Sequence, residues 1–502
     1  MTYQKNLYTI NTKGRIPGGF YTRYTIKGKV RGSMLDGTTV KRDAFGIARF
    51  IAEYKTAEQR RQEGKALRVK IPRESHAEFE MARDRTDPVK VIKKSSEGRL
   101  QHLIPIRYGR MAKSVFAFYR GTASLMAMDL EKTPTSGLRV QACGDCHLSN
   151  FGLFATPERN LVFDINDFDE TLPAPFEWDI KRLATSFYVG ALDNDFSDKD
   201  CSAIARACVR AYREAIAKFS VMNVLDVWYA KLDADMLVAS APNAEAKKNR
   251  QRIAEQARAN IGDYVFPKLT TVHDGRRLIV DQLPLVYHPP PEEKVPELAI
   301  DTLKAYRETL PYERRVLLDR YHIEDIAVKV VGVGSVGTWC GVALFLAEEE
   351  DPLLLQIKEA RPSVLAPYAG KSEFSHEGER VVVGQRLMQS ASDMMLGWTT
   401  GTGKYKRHFY IRQLRDMKFS VDISITNPQQ LSQYAGMCGW TLARAHARTG
   451  DAPMIYGYVG KSDTFDRAIG TFAELYAEQA ERDCELFLDA IESGEIKAAK
   501  EA

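Results

Sequence analysis

Apolar residues recur at three- and four-residue steps along MAKSVFAFYRGTASLMAMDL, so the stretch from about 79 to 131 is predicted to be helical. Residues 138–170 break into short apolar runs separated by polar turns, a pattern of strands and loops. Helical periodicity returns from Phe176 to about Lys218, and AEAKKNRQRIAEQARAN reads as a polar, exposed helix. Residues 264–297 are proline-rich and end in YHPPPEEKVP, which predicts an irregular linker before a helix over 299–321. The texture then changes. DIAVKVVGV, TWCGVALFLA and LLLQIKEA predict three strands within 325–359, the first pair joined by a glycine turn and the second by EEEDP. A helix over about 376–396, a strand over 408–415 and helices over about 428–448 and 463–499 complete the chain. At the other end, residues 1–75 read as an appended region, strand-like to about Gly46 and then helical through Arg61.

Composition narrows the classes. The chain has 502 residues, 44% hydrophobic and 27% charged, which is ordinary for a globular protein. No run of 18 apolar residues predicts a membrane span, and the first residues carry no apolar stretch of the signal-peptide kind. Seven unevenly spaced cysteines do not make a disulfide framework, so a reduced, cytoplasmic protein is expected. Charge is uneven: residues 1–75 hold 17 Lys and Arg against 6 Asp and Glu, a surplus of 11, so the net +5 leaves the remainder at −6. A basic arm of this kind suits an acidic partner or nucleic acid, although a solvated extension without a ligand explains it as well.

Chemistry concentrates in CGDCHLSNFG, residues 143–152. Phosphoryl transfer needs a carboxylate for the attacking hydroxyl and an oxygen ligand for Mg²⁺, and Asp145 and Asn150 have the D-x-x-x-x-N step that supplies both. Asp164 in LVFDINDFDE is expected to deliver the main metal carboxylate from a strand, with Asp167 and Asp169 near enough to help. Asp179 in FEWDIKRLA is expected to anchor the backbone of the catalytic loop. His147 stands beside the catalytic pair and reads more readily as a brace for the loop than as a proton shuttle. The run Cys143–Cys146–His147 also spells a haem or half-zinc motif, but no export signal and no second Cys/His pair accompany it.

The second signal is VVGVGSVGTWC, in which Gly332, Gly334, Ser335 and Gly337 form a phosphate-covering turn, followed by Lys358 in LLLQIKEA. A dinucleotide-binding turn must open a helix, whereas TWCGVALFLA reads as a strand. Strand, glycine turn, strand, turn and lysine-bearing strand is instead the nucleotide clamp of kinases. The acid that usually pairs with such a lysine is sought on the next helix, among Glu377, Glu379 and Gln385.

Here the catalytic loop precedes the glycine hairpin by nearly two hundred residues, so the order is that of a circularly permuted kinase fold. CGWTLARAHARTGD is similar to the helix that leads into the catalytic loop of aminoglycoside phosphotransferases. The runs IPIRYGRMAKSVFAFYRG, GLRVQACGDCHLSNFG, VFDINDFDETLPAPFEWDIKRLA, VGVGSVGT, KEARPSVL, GQRLMQSASDMMLGW and YIRQLRDMK together resemble the domain-of-unknown-function 2252 family over about residues 65–490. That resemblance implies a protein-kinase-like fold and leaves the substrate open.

The expectation is therefore an α+β, two-lobed, kinase-like chain. It divides into a basic extension (1–65), a helical half with the catalytic loop and a helical insert (66–325), a half with the glycine hairpin and lysine (326–416), and closing helices (417–502). Its expected ligands are ATP, Mg²⁺ and an acceptor, with a small-molecule hydroxyl favoured. Transfer of AMP, or a pseudokinase that only binds nucleotide, are the alternatives.

Overall fold

A computed structural model describes residues 55–499, apart from 242, 260–265, 267–268, 291, 293–294, 331, 333, 335, 349–350, 403–405, 415–416 and 418. The basic arm over residues 1–54 and Ser335 lie outside the described residues. The architecture is mixed α+β, with a large helical body and one antiparallel sheet of six strands.

The body begins earlier than the sequence suggested. Helix Ala57–Ala66 is closed by a capping box between Thr56 and Gln59, and Arg60 pairs with Asp451 at 3.1 Å. A Cβ on Gly64 would meet the Met454 carbonyl at 2.0 Å, and one on Gly457 would meet that of Arg61 at 2.1 Å. Glycine at both crossing points thus lets two backbones touch, and residues 57–66 belong to the body and not to a separate extension. The helices Phe176–Leu192, Asp198–Phe219, Pro428–Thr449 and Thr464–Glu492 pack on one another, and their apolar faces form the main core. Among the described residues no helix is long and apolar enough to cross a membrane.

Strands β1 (Arg139–Ala142) and β4 (Leu172–Pro175) pair on the body, as do β2 (Phe151–Ala155) and β3 (Leu161–Ile165), with β5 (Leu232–Asp233) at the edge of β3. The expected linker over 264–297 contains strands: β6 (Thr270–His273) and β7 (Arg276–Ile279) form a hairpin, and β8 (Val286–Tyr287) joins the large sheet. The helix expected over 299–321 is two, Val295–Thr309 and Tyr312–Leu318, split where Pro311 follows the first.

The large sheet runs β12–β13–β11–β10–β9–β8, from β9 (His322–Lys329), β10 (Cys340–Leu346), β11 (Pro352–Glu359), β12 (Gly397–Thr400) and β13 (His408–Gln413). The boundary expected at 325/326 falls inside β9. Helix Glu377–Met388 is shorter than expected because Gln389 turns extended and the Ser390 N–H goes to Asp164, so residues 389–396 form a loop before β12; the helix wedges between sheet and body. Its Gly378 leaves no room for a Cβ against the Phe409 carbonyl (2.2 Å), and its Gly384 none against Thr171 (2.4 Å).

Candidate active site

The turn between β1 and β2 is built around one glycine. Gly144 has φ +86°, and a Cβ there would meet the Glu170 carbonyl oxygen at 2.2 Å. Asp179, in the first turn of Phe176–Leu192, accepts hydrogen bonds from the backbone N–H of Cys143 (2.6 Å) and Gly144 (3.0 Å). His446 from Pro428–Thr449 reaches the same carboxylate at 3.2 Å, and its other ring nitrogen meets the Tyr212 hydroxyl at 2.9 Å. The expected anchoring role of Asp179 is met. The loop closes on itself: Asn150 Nδ2 donates to the Asp145 carbonyl (2.7 Å), and Asn166 N–H donates to the Asn150 carbonyl (2.7 Å).

Asp145 turns its carboxylate toward Arg182, whose guanidinium lies 2.5 Å from Oδ1. Burial alone would push the Arg182 pKa down; Asp145 more than reverses that. His147 is buried with its Nε2 3.8 Å from Asp145 Oδ2. Burial, with Arg120 and Arg182 nearby, pushes its pKa well below the usual range and keeps the ring neutral. Its backbone joins Asp145 to Asn150, donating to the Asp145 carbonyl (3.0 Å) and accepting from Asn150 N–H (2.9 Å), which is the brace expected of it.

Asp164 does not reach the cavity. It is fully buried on β3, with one oxygen on Arg444 and the Ile165 N–H and the other on the N–H and hydroxyl of Ser390 (2.8 and 2.7 Å). With both oxygens engaged, it ties β3 to the closing helices, and the expectation that it supplies the metal carboxylate is corrected. Asp167, just past the strand, does line the cavity, as does Asp393. Burial and the neighbouring Asp169 charge push the Asp167 pKa up.

Lys358 also finds a partner other than those expected. Its ammonium is 2.8 Å from Asp169 and 3.9 Å from Asp167, and Asp169 further accepts from the Tyr410 hydroxyl at 2.5 Å. Burial lowers the Lys358 pKa and the two acids raise it further, so it stays charged. Of the residues sought on the helix, Glu377 binds Arg380 (2.6 Å) and Gln385 binds Gln389 (2.9 Å). Glu379 makes no ion pair with Lys358. Arg380, fully buried, donates to the carbonyls of Thr171 (2.6 Å) and Asp169 (2.9 Å), so this helix sets the acid that holds the lysine.

The glycine turn lies over the same place. Gly332 and Gly337 take φ +23° and +85°. Arg99 donates to the Gly334 and Val336 carbonyls (2.8 and 2.7 Å), pinning the turn to the body. The position a Gly334 Cβ would take is 3.9 Å from Asp145 Oδ2.

Between sheet and body a cleft of about 600 Å³ is lined by Asn150, Asp167, Lys358 and Gly332, together with Arg120, Arg159, Lys329 and Arg412. Arg412 is held by Gln356 (3.2 Å) and by the Asn166 carbonyl (3.0 Å). None of these further cations was singled out in the sequence. Only Arg182, three residues after Asp179 and so on the same helix face, carried a signal that could have been used.

Residues 99–490 match the family described as "Uncharacterized protein conserved in bacteria (DUF2252)". No curated protein and no solved structure matches the chain. The chain belongs to that family.

Proposed function

We propose that this DUF2252 chain is a kinase-like phosphotransferase that uses ATP and Mg²⁺ on a small-molecule hydroxyl. The observation that carries the reading is convergence: Asn150 and Asp167 from the body meet Lys358 and Gly332 from the sheet around one cleft, and Asp145 lines an adjoining cavity that shares Asn150, Asp167 and Gly332 with it. A glycine turn between the first two strands of a hairpin, a lysine on the next strand and a helix after it is the arrangement by which kinases cover and pair with phosphates. The circular order of the chain leaves that arrangement intact.

The donor set suits the metal. Mg²⁺ is commonly held by one or two protein oxygens with phosphates and water completing its shell. Asn150 and Asp167 offer that number, and among the described residues no cluster of three or more His, Cys, Asp or Glu competes for it. The metal would neutralise charge developing on the phosphate oxygens. Lys358 and the cleft cations bind the triphosphate, while Asp145 orients the acceptor hydroxyl and takes its proton. The acceptor O–P bond forms as the bond from the γ-phosphorus to the bridging oxygen breaks, and ADP leaves with that electron pair.

Transfer of AMP is a second reading, favoured by Gln356 and Arg412, which line the cleft with further groups that can bind phosphates. Products separate the two: slow turnover yields ADP and phosphate in one case, AMP and pyrophosphate in the other. The direct test is the melting temperature with ATP, with and without Mg²⁺. A Mg-dependent rise is expected, since a ligand at ~100 times its dissociation constant adds roughly 2.7 kcal/mol. The rise should be lost in folded Lys358→Ala and Asp167→Ala variants. No rise with any nucleoside triphosphate would refute the reading.

A further inference from the structure

A second cavity, of about 310 Å³, lies against the catalytic loop and shares Arg120, Asn150, Asp167 and Gly332 with the cleft. Asp145 lines this cavity and not the larger one. Its volume is at the lower end of the range for small-molecule pockets.

Its walls bring together Arg99, Arg107, Arg120 and Arg361, from three separate segments. Elsewhere in the molecule buried guanidiniums face carboxylates: Arg85 holds Asp129 and Asp483, Arg182 holds Asp145, and Arg444 holds Asp164. These four do not; among the described residues none of them makes an ion pair. Arg99 bonds the Ser95, Gly334 and Val336 carbonyls; Arg107 the Ser96 hydroxyl and Gly121 carbonyl; Arg361 the Glu97 carbonyl. The Nε atoms of Arg107 and Arg120 are buried without a partner.

Five acids share the cavity; Asp167, 3.9 Å from Lys358, is the one assigned above to the metal, and three of the others are engaged by cations. Asp145 serves Arg182, Asp169 serves Lys358, and Glu359 binds Arg407 at 2.7 Å. Glu170 accepts the Val364 N–H, and burial pushes its pKa up to about 7, which removes much of its charge at neutrality. Burial, with the other guanidiniums close by, pushes Arg99 down to about 10 and Arg107 down to about 9. Positive groups are thus gathered on one cavity without a direct ion pair, the acids near Arg99 and Arg120 being shared with other cations, an arrangement that an oxyanion held by planar guanidinium forks relieves.

We propose that this cavity binds the anionic group, a phosphate or carboxylate, of the acceptor whose hydroxyl is presented to Asp145. The substrate is then a small hydroxyl compound that already carries negative charge. The assignment to an acceptor rests on the phosphotransferase reading. The same chemistry could also hold the terminal phosphate of the nucleotide itself, so the experiment separates the two sources.

The protein is saturated with Mg²⁺ and the ATP analogue that has NH in place of the β,γ-bridging oxygen. It is then titrated calorimetrically with inorganic phosphate, with chloride balancing the ionic strength. One-to-one phosphate binding is expected alongside the analogue. Arg361→Gln, checked by an unchanged melting temperature in chloride, should weaken phosphate at least tenfold and the analogue less than threefold. Arg107→Gln should act in the same direction. Absence of phosphate binding to the parent protein overturns the proposal, and so does displacement of the analogue by phosphate, because the arginines then hold the nucleotide. Arg361-dependent phosphate binding by a protein that takes no nucleotide upholds the anion site and removes the phosphotransferase reading instead.

Discussion

Replacing Asp179 with Asn tests whether one carboxylate sets the catalytic loop. Its two oxygens accept from three donors: Cys143 N–H and the His446 ring on one side, Gly144 N–H on the other. Asn keeps one oxygen and turns an NH₂ toward a donor, so either Gly144 or Cys143 is left as a buried, unpaired N–H. A hydrogen bond to a charged group contributes about 1.5–3 kcal/mol, and an unpaired buried donor costs about 1–3 kcal/mol. The expected loss is about 3 kcal/mol. Spread over the unfolding entropy of a chain this long, at about 2.1 cal/mol/K per residue, it lowers the melting temperature by only roughly 3 °C. Local opening is the sharper measure, because about 3 kcal/mol corresponds to roughly a hundredfold faster hydrogen exchange at the affected amides. Exchange measured by mass spectrometry on peptides spanning 139–152 should rise by that order, with peptides from Thr464–Glu492 unchanged. Unaltered exchange at Cys143 and Gly144 would refute the reasoning and mean that the loop is held from elsewhere.

The corrected roles of two neighbouring acids are separable by stability. Asp164→Ala leaves Arg444 buried and uncompensated and should cost about 3–5 kcal/mol, read from the urea midpoint; Asp167→Ala should cost little while abolishing Mg-dependent nucleotide binding. Equal stability of the two variants would return Asp164 to the cavity. Just past β8, His288 lies between Asp325 (3.0 Å) and Asp281 (2.8 Å), and hydrogen bonds to these acids raise its pKa to about 9. A raised pKa stabilises the fold fully below the unfolded value, near 6.5, and the gain fades as pH rises through about 9. Discounted for its partial exposure, it amounts to about 1–2 kcal/mol. The melting-temperature gap between the parent protein and His288→Gln should therefore be widest near pH 6 and closed by pH 10; a gap that grows with pH would show the sign to be wrong.

Local patterns carried far. Apolar periodicity located the helices Phe176–Leu192, Asp198–Phe219 and Pro428–Thr449, and the β-branched runs located β9, β10 and β11. Pairings across long separations were less accessible. Asp164 and Asp167 are both acids at the end of one apolar run, and nothing local says which faces inward; that is decided by Arg444, 280 residues away. Lys358 likewise takes its partner from a turn 189 residues earlier in place of the adjacent helix. The strands β6, β7 and β8 were hidden by a proline-rich stretch whose hairpin needs only four residues per arm. The arginines of the second cavity come singly from ordinary helix and loop sequence, so only the fold reveals them as a group.

The long separation between Asp179 and His446 has a consequence for synthesis on the ribosome. The loop that bears Asp145 emerges early, but the His446 that completes its anchor lies 267 residues after Asp179. At about 5–20 residues per second the nascent chain waits roughly 13–53 s for that partner. During this interval Asp179 and Asp164 exist without His446 and Arg444, and β1 and β3 without the helix that will pack on them. The site closes only when Pro428–Thr449 docks, so a truncated nascent chain holds the catalytic sequence without a finished catalytic loop. Slowing translation after residue 192 should accordingly prolong chaperone contact with the helical half.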